Sequence, residues 1–163
     1  MKTDENLQKS FAARAMASVK NYAFAIAADK EGYREIAKLY RALSAAERVH
    51  AINHLKTTGE LGTTSENLTA AIDSKSYDYT QLYPIYIEQS DNDESSEALG
   101  LFRDNIQTSK THVALLNEAL RNMIRFREHD YWVCQNCGCI EIGDLPLTCK
   151  ICNGTREKFV KVD

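Results

Sequence analysis

Four cysteines near the C-terminus have the types and spacing to hold one metal ion. Cys134-Gln-Asn-Cys137 and Cys149-Lys-Ile-Cys152 are two Cys-x-x-Cys knuckles separated by eleven residues. Four thiolates so placed can surround a single iron or zinc tetrahedrally. Gly138 follows the first knuckle and Asn153 the second. Both residue types tolerate the positive φ with which a chain turns away from such a site. All five cysteines lie between positions 134 and 152. The fifth, Cys139, fits a small semi-buried apolar residue, with a reactive thiol or an intermolecular contact as the alternative. Disulfides are not expected, because nothing at the N-terminus points to export.

A second group of residues could also meet metal. Glu47-x-x-His50 is an i, i+3 pair that faces one way on a helix. Ser109-x-x-His112 repeats the spacing without the carboxylate, while Arg14, Lys75 and Asp78 fall on the apolar faces of other segments. Helical bundles that hold two irons use carboxylates and Glu-x-x-His pairs in this manner. The competing explanation is a charge-balanced polar cluster. Arg14 and Lys75 offset Glu47 and Asp78, and a guanidinium can neutralise a carboxylate with no metal present. A mononuclear site on Glu47, His50 and Asp78 stands between these readings.

These residues need helices to position them. The first 130 residues read as four helices, over 4–29, 33–56, 66–89 and 95–128. Apolar residues recur at steps of three and four: Ile36, Leu39, Tyr40 and Leu43 in the second, Leu68, Ile72, Tyr79, Leu82 and Ile85 in the third. The fourth carries Leu99, Phe102, Ile106, Val113, Leu116, Leu120 and Met123 on the same pattern, which predicts one buried face per helix. Thr64 or Ser65 is the expected N-cap of the third helix. Pro84 lies inside that helix and predicts a kink or local unwinding. The fold expected is mostly α: an up-down four-helix bundle over residues 1–129, followed by a small β-ribbon metal domain over 130–163.

Composition narrows the function classes. A formal charge of −3 gives no reason to expect nucleic acid. No apolar run approaches the ~18 residues of a membrane span. The N-terminal MKTDENLQKS is polar and partly acidic, unlike a secretory signal, so a cytoplasmic location is expected.

Several segments together resemble one family. ENLQKSFAARA, DKEGYREIAKLY, AERVH, GTTSENLTAAI and YDYTQLYP, followed by the four-cysteine module, are similar in order and spacing to rubrerythrins. The resemblance implies a ferritin-like four-helix bundle and a rubredoxin-like domain. It also implies a di-iron site that reduces hydrogen peroxide, a cysteine-bound iron that feeds it electrons, and a homodimer. Of the seven di-iron ligand positions it implies, Glu47, His50 and His112 keep the expected residue and Asp78 is a shortened carboxylate. Arg14, Lys75 and Ser109 replace glutamates. Tyr131, Trp132 and Phe159 would form the aromatic core of the small domain, and Lys150 stands where a proline is usual. Three functions follow for testing: a one-electron carrier with one iron in the four-cysteine site and no metal in the bundle, a peroxidase using a remnant site, and a zinc-ribbon adaptor. The first requires a redox protein partner that the sequence does not name.

Overall fold

The computed structural model describes residues 2–126 and 128–162. The chain divides into two compact units, one ending at Gly62 and one beginning at Thr63.

The first unit is a helical hairpin, α1 (Lys2–Lys30) and α2 (Arg34–Thr57). The chain reverses at Gly32, whose φ of +86° suits a residue without Cβ. The helices meet through small side chains: Ala25, Ala28, Ala37, Ser44 and Ala51 are the buried ones. The face expected to be buried behaves otherwise. Ile36, Leu39 and Leu43 are exposed, Leu39 by 60%. Two long helices approach closely only where side chains are small, so the bulky stripe lies outside the hairpin seam. Polar rungs set the register between the helices. Ser10 Oγ lies 2.9 Å from His54 Nε2, Arg14 pairs with Glu47, and Ser18 Oγ donates to the Ser44 carbonyl at 2.9 Å. The rungs advance along α1 as they retreat along α2, as antiparallel helices require.

The second unit begins with α3 (Thr64–Tyr77). Its N-cap is Thr63, one residue before Thr64 and two before Ser65, the expected caps. The reason is Glu66: its carboxylate accepts from the Thr63 N–H at 2.7 Å while the Thr63 hydroxyl accepts from the Glu66 N–H, a capping box that demands this spacing. The third predicted helix is interrupted. A π-helical turn, Asp78–Leu82, separates α3 from α4 (Tyr83–Asn92). Pro84 has no N–H to donate and its ring crowds the preceding turn, so the chain widens just before it. Helix α5 (Ser96–Arg121) packs along α3 and α4. It stops short of the expected 128. Asn122 caps it, donating from its side chain to the Glu118 carbonyl at 3.1 Å, and a 3₁₀ turn over Met123–Arg125 follows.

The same unit ends in a three-stranded antiparallel ribbon of order β2-β1-β3: β1 (Tyr131–Cys134), β2 (Ile140–Ile142) and β3 (Phe159–Val162). Val133 pairs with Ile140 and Cys134 with Phe159. Strand alternation sends Trp132 and Cys134 to one face and Tyr131 to the other. Trp132 and Phe159 therefore join the cysteine core. Tyr131, expected beside them, instead lines a cavity of about 530 Å³ with Ala71, Leu115, Leu116 and Ile140.

Candidate metal centre

The ribbon has almost no core except the cysteines themselves. Cys134, Cys137, Cys139, Cys149 and Phe159 are buried together, with Trp132, Leu145 and Ile151 packed around them. Each knuckle closes on itself through the backbone. The Gly138 N–H donates to the Cys134 carbonyl at 2.8 Å, and the Asn153 N–H to the Cys149 carbonyl at 3.0 Å. The turns use the two residues singled out in the sequence: Gly138 has φ +75° and Asn153 has φ +56°.

Sulfur positions decide whether a metal fits. Ligand atoms of Cys134, Cys137, Cys149 and Cys152 all lie within 4.8 Å of one another. Cys134 Sγ is 3.7 Å from Cys152 Sγ, and Cys137 Sγ is 3.5 Å from Cys149 Sγ. A tetrahedron with metal–sulfur bonds of ~2.3 Å has edges of about 3.8 Å. The four thiols are free rather than bonded in pairs. The donor set and its spacing therefore fit one tetrahedral ion.

Hydrogen bonds prepare these sulfurs for charge. Burial pushes the Cys149 thiol up, but the N–H groups of Cys152 and Ile151 and the neighbouring thiols of Cys137 and Cys152 outweigh it, and the net value is lowered to about 7. Burial dominates at Cys137, which is raised even though the Cys139 N–H donates to its sulfur. Cys152 is raised by burial too, against a donating Gly154 N–H. Cys149 is thus the thiol that ionises first.

Some contributors carried no signal in the spacing of the cysteines. Gly154 is one: a Cβ there would stand 2.9 Å from Asn136 Nδ2 and 3.3 Å from Cys152 Sγ. Its place directly after Asn153 is the only hint the sequence offers. Glu141 is another. It accepts from Lys150 Nζ at 3.1 Å and from the Cys139 thiol at 3.6 Å. Lys150, at the position where the resemblance implies proline, thus braces the second knuckle against β2 by an ion pair. Cys139 is fully buried, and burial first and Glu141 second push its thiol up to about 12.

Of the seven positions of the second group, four form two ion pairs. Arg14 Nη1 lies 3.1 Å from Glu47 Oε2 in the first unit. Lys75 Nζ lies 3.0 Å from Asp78 Oδ2 in the second, one turn apart on the same strand of helix. His50 is exposed on α2, and Ser109 is buried on α5. His112 is half-buried beside the ribbon, and its Nε2 lies 3.1 Å from the Gly138 carbonyl oxygen. Desolvation holds its pKa below the usual histidine value, with the Lys75 charge acting in the same direction against the raising effect of the Gly138 bond.

Comparison with known proteins identifies the family. The rubrerythrin family model matches residues 5–120. A rubrerythrin of Porphyromonas gingivalis is 29% identical, covering 93% of this chain and 85% of the relative. Rubrerythrin-1 of Clostridium acetobutylicum is 28% identical over 93% of this chain and 89% of its own length. Nigerythrin of Nitratidesulfovibrio vulgaris is 26% identical, with 96% and 85% covered. A nigerythrin structure in its fully reduced, all-ferrous state superposes with a TM-score of 0.60 at 25% identity, covering 98% of this chain and 86% of that one. With helices matched in order and a four-cysteine ribbon after them, the chain belongs to the rubrerythrin family.

Proposed function

We propose that this protein carries single electrons through one iron held by Cys134, Cys137, Cys149 and Cys152, and that its helices do not hold a di-iron peroxidase centre. The observation that carries this reading is the fate of the carboxylates. Glu47 and Asp78 stand at ligand positions, and each is paired with a cation of its own unit, Arg14 and Lys75 respectively. A divalent ion approaching either carboxylate meets a fixed positive charge at contact distance, worth several kcal/mol of repulsion at an effective dielectric of ~20. Ion pairs have taken over the neutralisation that metal supplies elsewhere in the family.

Iron rather than zinc is the choice of this reading because the similar nigerythrin structure is described as all ferrous. Iron in such a site supplies one-electron chemistry, its potential set by the hydrogen bonds to the sulfurs. The chain's own residues supply those bonds: the N–H groups of Cys139, Ile151, Cys152 and Gly154 all point at sulfur. With no acceptor in the helices, the electron passes to a separate redox protein. We further propose a cytoplasmic homodimer. No described helix is long and apolar enough to cross a membrane.

Metal analysis with a peroxide assay tests the reading. Protein grown with ample iron should carry one iron per chain, and hydrogen peroxide should reoxidise the reduced form no faster than it does an isolated rubredoxin-type site. Two or more additional irons with fast peroxide turnover support a remnant peroxidase instead. One zinc per chain, with no iron under any loading, supports an adaptor.

A further inference from the structure

His112 is at a family ligand position yet makes a different bond. A carbonyl oxygen can only accept, so the 3.1 Å contact requires His112 Nε2 to carry hydrogen and donate to Gly138. The acceptor is not an arbitrary carbonyl. It belongs to the peptide joining Gly138 to Cys139, and the N–H of that same peptide donates to Cys137 Sγ. One peptide unit is therefore held at both ends, by an imidazole on α5 and by a sulfur of the metal centre. A hydrogen bond at an amide oxygen draws electron density from its nitrogen and strengthens the bond the N–H donates.

We propose that His112 is a positioning residue of the four-cysteine centre, which polarises the 138–139 peptide and thereby strengthens the N–H···S bond to Cys137. The proposal rests on the reading that the four cysteines hold one metal. Stronger donation to a thiolate withdraws charge from the metal and favours its reduced state. The residue at a family ligand position acts on the second metal site from across the ribbon interface, without binding metal itself.

Nuclear magnetic resonance of the zinc-loaded full chain reads the bond directly. In the unmodified chain the His112 ring should be the tautomer protonated at Nε2, and protonation at Nδ1 alone overturns the proposal. His112→Leu should move the Cys139 amide proton upfield, as a weakened hydrogen bond requires, while His112→Gln, which keeps an N–H donor, should restore part of the shift. In the iron-loaded chain the midpoint potential should fall in His112→Leu and partly recover in His112→Gln, with the sulfur-to-iron charge-transfer bands unchanged in number and shape. A Cys139 amide and a potential that both stay put in His112→Leu overturn it. Failure of the unmodified chain to bind either metal overturns the reading beneath it, and is a separate result.

Discussion

Arg14 and Glu47 close a salt bridge across the first hairpin, with Nη1 3.1 Å from Oε2 and 3.3 Å from Oε1. The two residues are 33 apart in sequence and occupy positions where the family resemblance implies two glutamates that meet iron. Where the resemblance implies two like charges with a metal between them, this chain has two opposite charges in contact. Lys75 and Asp78 form a second such pair in the second unit.

Removing Arg14 leaves Glu47 without its counter-charge. The arginine side chain is 43% exposed and the glutamate 20%, so water screens part of the attraction. Arg14→Ala should lower stability by ~0.5–1 kcal/mol. Glu47→Gln in the Arg14→Ala background should recover most of it. A double-mutant cycle from thermal melts gives the coupling, and additive losses from the two single changes would show that the contact contributes nothing.

Metal removal should destabilise the ribbon selectively. Four of the five buried residues of its core are cysteines, so without the ion little else holds the strands. Cys134→Ser, or treatment with a strong chelator, should lower the melting temperature read from the near-ultraviolet signal of Trp132 and leave that of the helical far-ultraviolet signal almost unchanged. An equal fall in both melting temperatures would mean that the helices depend on the metal too.

The metal-free thiols should titrate in a set order. Cys149 lies below its ordinary value of 9.0, at about 7. Its depressed pKa stabilises the folded ribbon in full above about pH 9, and that contribution is lost as the pH falls through about 7. Cys137, raised by burial, has the opposite sign: its contribution is complete below 9.0 and disappears as the pH climbs through its raised value. Thiolate absorbance should show a first step near pH 7 that Cys149→Ser removes. With metal bound, acidification should release the ion as protons compete for sulfur. An unchanged first step in Cys149→Ser would assign the early thiolate to another cysteine.

Cys139 should be inert. It is fully buried and its thiol is pushed up to about 12, chiefly by burial. Iodoacetamide at pH 8 should leave it unlabelled in the metal-loaded protein. Cys139→Ala should keep one metal per chain, at a cost of ~1 kcal/mol for the small void. Labelling of Cys139 in the loaded protein at a rate like that of free cysteine would give it the reactive role instead.

Much of the metal centre was legible in the residues because it is local. A Cys-x-x-Cys knuckle is closed by backbone bonds a few residues long, so type and spacing alone specify it, down to the positive φ of Gly138 and Asn153. The widened turn before Pro84 was legible for the same reason, since proline acts on its own preceding turn. Helix ends were less so: Asn122 ends α5 earlier than its apolar stripe suggests, because a side-chain bond to Glu118 competes with the helix.

Sequence by itself determined the family, the four thiols, and a balance of two cations against two carboxylates on the helices. Periodicity places a residue on a face but does not choose its partner. Only tertiary structure decided that Arg14 takes Glu47, that Cys139 is sealed in the ribbon core, and that small residues rather than the Leu39 stripe form the hairpin seam. It also decided the bond from His112 to Gly138, 26 residues away. Such contacts depend on how helix and ribbon pack, a sum over many weak interactions that no short stretch of residues encodes.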